Sequence, residues 1–224
     1  MIIHIDHLAL TTDGFNDDIN ILEKLGYKLR FLERNVKNLK IKKQFLRNFT
    51  NNHDIALFDS TNGLSIELIN YPVRGVKKSI FYPKINDNAV AKLKDMQEGF
   101  SFSEISFKSR NFSEALKFWE KLGFQVYEQD KNIVKLKFRS LINRSDYFVC
   151  IENVKGLEGQ CFLDDLGFNS IAFISTSITK DRDFLIKQNF DATPIDTLEL
   201  NGKKLNIFFV MGPSLELVEI IGIN

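Results

Sequence analysis

A histidine close to the start of the chain is the first residue whose type and setting could do chemistry. In Ile5-Asp6-His7-Leu8-Ala9-Leu10, imidazole, carboxylate and aliphatic side chains alternate, the period of a strand with one face buried. Alternation places Ile5 on the same face as His7, Leu8 on the other, and turns Asp6 outward to solvent. An imidazole held on a buried face is a ligand or a hydrogen-bonding group for whatever lies against it. Carboxylates recur in a comparable setting, in Ile66-Glu67-Leu68, Ile151-Glu152-Asn153 and Leu215-Glu216-Leu217. Burying an unpaired charge is costly, so a carboxylate next to an aliphatic residue in the closing strand of three units points to acid–base or metal chemistry. His53 could supply a second imidazole or face a substrate. Nothing resembles a nucleophile elbow or a glycine-rich phosphate loop.

The elements that must position these residues repeat. A strand at 3–11 is followed by a helix over 17–24 that stops at Leu25-Gly26-Tyr27, then by strands near 27–33, 54–59 and 64–70. The order βαβββ returns with a strand at 102–108, a helix at 113–122 stopped by Gly123-Phe124, and strands near 124–129, 133–139 and 146–152. It returns again with a strand at 169–175, a helix at 179–188 stopped by Asn189-Phe190, and strands near 194–200, 203–211 and 214–222. His7, Glu104 and Ser170 each lie 19 residues before the residue that stops the following helix. They are equivalent positions. The spacing divides the chain into unit 1 (1–72), a linker (73–99) with a short helix at 89–96, unit 2 (100–153), a second linker (154–166) and unit 3 (167–224). Which two units pair is left open. A unit without an internal partner would have to be covered by a linker or by a second copy of the chain.

Composition narrows the classes. The 224 residues carry a formal charge of +1 and are 44% hydrophobic, which is ordinary for a folded chain and gives no general pull toward nucleic acid or an anionic membrane. Basic residues gather in the insertion 35–52, from Lys37 to Arg47, where they could form a lid that attracts an anionic substrate. Two cysteines, Cys150 and Cys161, have no zinc or disulfide spacing and read as reduced thiols. With no secretory leader and no apolar run of about 18 residues, a cytoplasmic chain without a membrane span is expected.

The strand carrying His7, the helix ending Leu25-Gly26-Tyr27, the segment from Phe112 to Phe124 with Ala115, Trp119 and Leu122-Gly123-Phe124, and the closing strands around Glu67 and Glu216 together resemble the vicinal oxygen chelate superfamily. That superfamily includes glyoxalase I, methylmalonyl-CoA epimerase, extradiol dioxygenases and the fosfomycin and bleomycin resistance proteins. The resemblance implies an α+β fold of three βαβββ units of the glyoxalase type, with curved mixed sheets forming a cleft. It implies metal ligands from the first and last strands of each unit. Carried over, these are His7, Glu67 and Glu216 as ligands, with Glu104 and Glu152 left to act as acid or base and His53 and Arg47 toward the substrate. Imidazole with carboxylates suits Mn, Fe, Ni, Co or Zn. The activity implied is a divalent-metal-dependent isomerase, epimerase or lyase acting on adjacent oxygens of a small molecule. The alternatives are a metal-free binder that sequesters its ligand and, third, an extradiol-type dioxygenase. Glu104 and Ser170 stand where a second histidine would complete a dioxygenase triad. A homodimer is the expected partner arrangement.

Overall fold

In the computed structural model, which describes residues 1–60, 63–83, 104–156 and 159–223, each unit folds with the same strand order. Unit 1 contains β1 (Ile2–Thr11), α1 (Phe15–Lys24), β2 (Lys28–Lys37), a 3-10 turn (Lys40–Phe45), β3 (Asn52–Asp59) and β4 (Ser65–Asn70). Unit 2 is preceded by the two-residue strand β5 (Tyr82–Pro83) and contains β6 (Glu104–Ser109), α2 (Phe112–Lys121), β7 (Gln125–Gln129), β8 (Ile133–Arg139) and β9 (Asp146–Asn153). Unit 3 contains β10 (Gly167–Ser175), α3 (Ile178–Lys187), β11 (Asp191–Ala192), β12 (Asp196–Leu200), β13 (Lys203–Met211) and β14 (Leu217–Gly222). The helix expected at 89–96 lies outside the described residues. Among those residues no helix is long and apolar enough to cross a membrane.

The helix stops work as their residue types require. Gly26, Gly123 and Asn189 have φ of 88°, 100° and 65°, and the next N–H closes the helix end in all three units: Tyr27 to Leu22 O, Phe124 to Trp119 O, and Phe190 to Leu185 O. This is the left-handed helix stop that glycine and asparagine tolerate. Of the aromatic residues after the stops, Phe124 packs on Trp119 of its own helix, and Phe190 packs on Phe118 of α2 at 4.9 Å.

Units 1 and 3 pair. β1 and β10 run antiparallel at the centre of a nine-stranded sheet of order β11-β13-β14-β10-β1-β4-β3-β2, with β12 alongside β13. His7 lies opposite Ala172 and Ala9 opposite Ser170, so the pairing respects the equivalence of His7 with Ser170. Unit 2 forms a separate five-stranded sheet, β5-β6-β9-β8-β7. β5 caps the edge of its first strand. The unit left without a paired unit is therefore the middle one.

One face of the large sheet meets the helices and unit 2. There Trp119, fully buried, packs on Phe124 at 5.0 Å and on Phe107 at 5.5 Å between ring centroids, with Phe173 of β10 beside them. The concave face carries a second apolar cluster, including Val36, Ile55, Ile69, Ala172, Phe209 and Ile221. The insertion after β2 closes over this face with Leu39, Phe45 and Leu46, and Leu163 from the second linker joins them. Arg47 fastens the insertion there: its Nε donates to Asp165 at 2.6 Å, and the Arg47 and Asn48 N–H groups donate to Asp164 at 2.8 and 2.9 Å.

Candidate metal centre

Simple alternation fails in β1 at the position that matters most. The ladder with β10 slips between Ile5 and His7, where Ile5 faces Phe173 and His7 faces Ala172. A bulge of this kind re-aims the residues after it. Ile5 consequently joins Leu8 and Leu10 in the helix-side core, instead of sharing the His7 face. Asp6 is not turned out to solvent. Its carboxylate lies 2.8 Å from His7 Nδ1 and 4.0 Å from the Arg30 guanidinium. The carboxylate accepts, so His7 carries a proton on Nδ1 and presents Nε2 toward Glu67.

Nε2 lies 3.4 Å from Glu67 Oε2, an ion-pair separation without an aligned hydrogen bond. Glu67 is placed by β4, where it sits beside Ala9 of β1. Glu219 is placed by β14 in the same way, beside Ala172 of β10. One donor atom from each of His7, Glu67 and Glu219 lies within 4.8 Å of the other two, and all three residues are buried. Burial pushes the His7 pKa down, but the Glu67 charge and the Asp6 hydrogen bond outweigh it and hold the imidazole well above its ordinary 6.5. Burial pushes Glu67 up, but the His7 charge prevails and holds it below the usual range. Burial also pushes Glu219 up, and there the Lys42 charge does not outweigh it. The arrangement thus separates an ionised carboxylate from one that holds a proton more readily. An imidazole and two carboxylates, with the imidazole oriented by a third, make a donor set that fits a divalent ion of the Mn-to-Zn series.

The sequence-derived set is brought together only in part. His7 and Glu67 meet, but Glu216 does not join them, and Glu219 occupies the position related to Glu67 by the pairing of units 1 and 3. Glu216 lies in the turn before β14, fully buried, where it accepts from Trp119 Nε1 at 3.3 Å and from the Ser214 N–H at 2.7 Å. Glu216 precedes the first residue of β14, Leu217, so the β10–β14 register that places Glu219 beside Ala172 does not govern it. Glu104 and Glu152 are on the sheet of unit 2, away from the cluster. Glu104 is paired with Lys135 at 2.5 Å and accepts from the Cys150 thiol at 3.3 Å, and Glu152 lies opposite Ile133. Arg47 is engaged by Asp165 and stacks over Phe162 at 4.4 Å, so it braces the insertion and does not face the cluster. Ser170, equivalent to His7, is buried on β10 opposite Ala9.

His53 is on the concave face, stacked on Tyr71 at 5.3 Å. Burial, with Lys42 nearby, lowers its pKa to about 3, so it is neutral. Lys42, which the sequence offered only as one of a basic run, is 3% exposed, with its ammonium 5.6 Å from the centre of the Phe209 ring. Glu219 and Asp6 were also missed. No local signal separated Glu219 from Glu216, because Val218-Glu219-Ile220-Ile221 and Leu215-Glu216-Leu217-Val218 both match Ile66-Glu67-Leu68-Ile69. Two surface clefts of about 220 and 350 Å³ lie elsewhere, one beside Lys78, Lys108 and Ser214 and one beside Ile2, Lys121 and Phe184.

No protein-family model and no curated protein matches the chain. Solved structures do. A putative dioxygenase from Bacillus subtilis aligns over 99% of this chain and 63% of its own, with a TM-score of 0.45 and 11% identity. The chain thus spans less than two thirds of that protein. Glyoxalase I from Zea mays aligns over 97% of this chain and 67% of its own, with a TM-score of 0.41 and 14% identity. A glyoxalase family protein from Enterococcus faecalis aligns over 54% of this chain and 95% of its own, with a TM-score of 0.43 and 21% identity. In this chain the strands that carry the cluster belong to units 1 and 3.

Proposed function

We propose that the chain is a divalent-metal-dependent enzyme that isomerises, epimerises or cleaves a small molecule bearing adjacent oxygens, with the ion held by His7, Glu67 and Glu219. The observation that carries this reading is the convergence of three buried donors on three central strands, with Asp6 fixing the His7 tautomer so that Nε2 faces the two carboxylates. Two carboxylates beside one imidazole are poorly compensated when buried, and a divalent ion matches their charge. When bound, such an ion supplies Lewis acidity to the substrate oxygens. The chain's own residues do the rest. Glu67 contributes fixed charge. Of the two carboxylates, burial leaves Glu219 the readier to hold a proton in the metal-free site. The apolar wall formed by Ile55, Ile69, Phe209 and the insertion keeps water from the reacting carbon. A two-histidine, one-carboxylate site is not supported, because Ser170 stands at the position equivalent to His7.

A second reading has its own observation. Lys42 is a buried ammonium beside the same cluster, and it could serve as the counter-ion of a metal-free binding protein. Proton exchange separates the two. With Mn, Co, Ni or Zn added, a panel of small 2-hydroxy ketones and 2-oxo compounds in D2O should lose the NMR signal of a C–H beside a carbonyl at a rate that depends on metal and on Glu219. The absence of metal-dependent exchange across the panel, together with tight ligand binding by the metal-free protein, would favour the binder.

A further inference from the structure

The concave face has a second polar group of residues that the metal reading does not use. His53 of β3 and Tyr71, the residue that follows β4, lie just beyond the Asp54–Asn70 pair that ends the β3–β4 ladder. Both are at least 99% buried, yet neither ring nitrogen of His53 nor the Tyr71 hydroxyl has a hydrogen-bond partner. Asn38 follows β2 and spends its amide N–H on Thr50 O at 2.9 Å, which leaves its Oδ1 equally unpartnered and buried. Four unpaired polar atoms on one closed face are a costly arrangement for folding alone. Lys42 projects its charge into the same region from the insertion, where it acts on His53, Glu67 and Glu219.

Charge and hydrogen-bond inventory together describe what would fit. Glu67 and Glu219 cancel a divalent ion, His7 coordinates as a neutral ring, and the Asp6 carboxylate behind it is matched by the Arg30 guanidinium at 4.0 Å, so on this count the Lys42 ammonium is left as one uncompensated positive charge. A single negative charge completes the site. The Lys42 ammonium, the Tyr71 hydroxyl and one His53 N–H are donors, and Asn38 Oδ1 and the other His53 nitrogen are acceptors. That is the complement of a carboxylate next to a hydroxyl. A phosphate ester would bring nearly two negative charges to one ammonium and no arginine fork.

We infer that Lys42, His53, Tyr71 and Asn38 form a carboxylate-binding subsite, and that the substrate is a small monoanionic hydroxy- or oxo-carboxylate. The charge count rests on the metal reading, and the location rests on the unpartnered atoms. The test is calorimetric titration of the Mn-loaded and the metal-free protein with a series of two- to six-carbon hydroxy- and oxo-acids, each compared with its neutral amide. The best-bound acid should bind at least about tenfold more tightly than its amide, the range of one charged hydrogen bond. Lys42→Met should erase that preference, and Tyr71→Phe, which keeps the ring, should weaken the acid about tenfold while leaving metal content unchanged. Tyr71→Phe carries the test if Lys42→Met does not fold. Equal affinity for acid and amide, no binding across the series, or a preference that survives Lys42→Met would overturn the subsite. A protein that takes up no metal yet prefers the acid through Lys42 refutes the metal reading and leaves the subsite standing. One that takes up metal without the preference does the reverse.

Discussion

Replacing Glu216 by glutamine should make the protein more stable at pH 8 and change it little at pH 5. Glu216 is fully enclosed between α2 of unit 2 and the turn before β14 of unit 3, and Leu215 next to it is held at φ 67°, an unusual conformation for a bulky residue. Burial pushes the Glu216 carboxyl from its ordinary value near 4.5 up to about 7. A carboxyl whose folded pKa exceeds its unfolded one favours folding when protonated. Its contribution is complete below about pH 4.5 and is lost as pH rises through about 7. At about 1.4 kcal/mol per pH unit, the whole window is worth at most about 3 kcal/mol. Glutamine keeps one acceptor for Trp119 Nε1 or the Ser214 N–H but turns an NH2 toward the other donor, which costs about 1 kcal/mol at every pH. The difference in stability between variant and parent should therefore change by about 3 kcal/mol between pH 5 and pH 8, or about 6–12 °C in melting temperature for a chain of this size. Urea denaturation at the two pH values measures it directly. A parent–variant difference that is the same at both would show that Glu216 does not titrate on burial, and the reasoning would fail.

Further outcomes follow from other contacts. Asp6→Asn should weaken metal binding about 10–100-fold by titration calorimetry, because a ligating imidazole depends on the group behind it; unchanged affinity would remove Asp6 from the site. Asp165→Asn should destabilise the fold by about 2 kcal/mol and open the insertion 39–49 to limited proteolysis, since Asp165 is fully buried and also accepts from the Val76 and Phe162 N–H groups. Cys161, whose thiol burial pushes up to about 12, and the equally buried Cys150 should react with a disulfide reagent at pH 8 only after unfolding.

The repeat was legible because its signals are local. A glycine or asparagine that must adopt positive φ, followed by an aromatic residue, marks each helix end whatever the rest of the chain does. The pairing of units was legible in principle. Ile171-Ala172-Phe173-Ile174 is apolar on both faces, as a central strand must be, and Leu8-Ala9-Leu10 matches it. Glu104-Ile105-Ser106-Phe107-Lys108 alternates, as a strand with one exposed face does. The His7 setting was less accessible, because a bulge is a property of the ladder and leaves no mark in Ile5-Asp6-His7. Glu216 was favoured over Glu219 because both are flanked by aliphatic residues, and only the β10–β14 register separates the one that faces the cleft. Lys42 was hidden among exposed lysines of the same run; the apolar surroundings that bury it come from β13, far along the chain.

The most direct measurement is the metal content of purified protein after incubation with Mn, Co, Ni or Zn and desalting, on the parent and on Glu219→Gln and Glu216→Gln prepared in parallel. The account predicts about one equivalent in the parent and in Glu216→Gln, and little or none in Glu219→Gln. Equal metal in all three, or loss in Glu216→Gln with retention in Glu219→Gln, would contradict it.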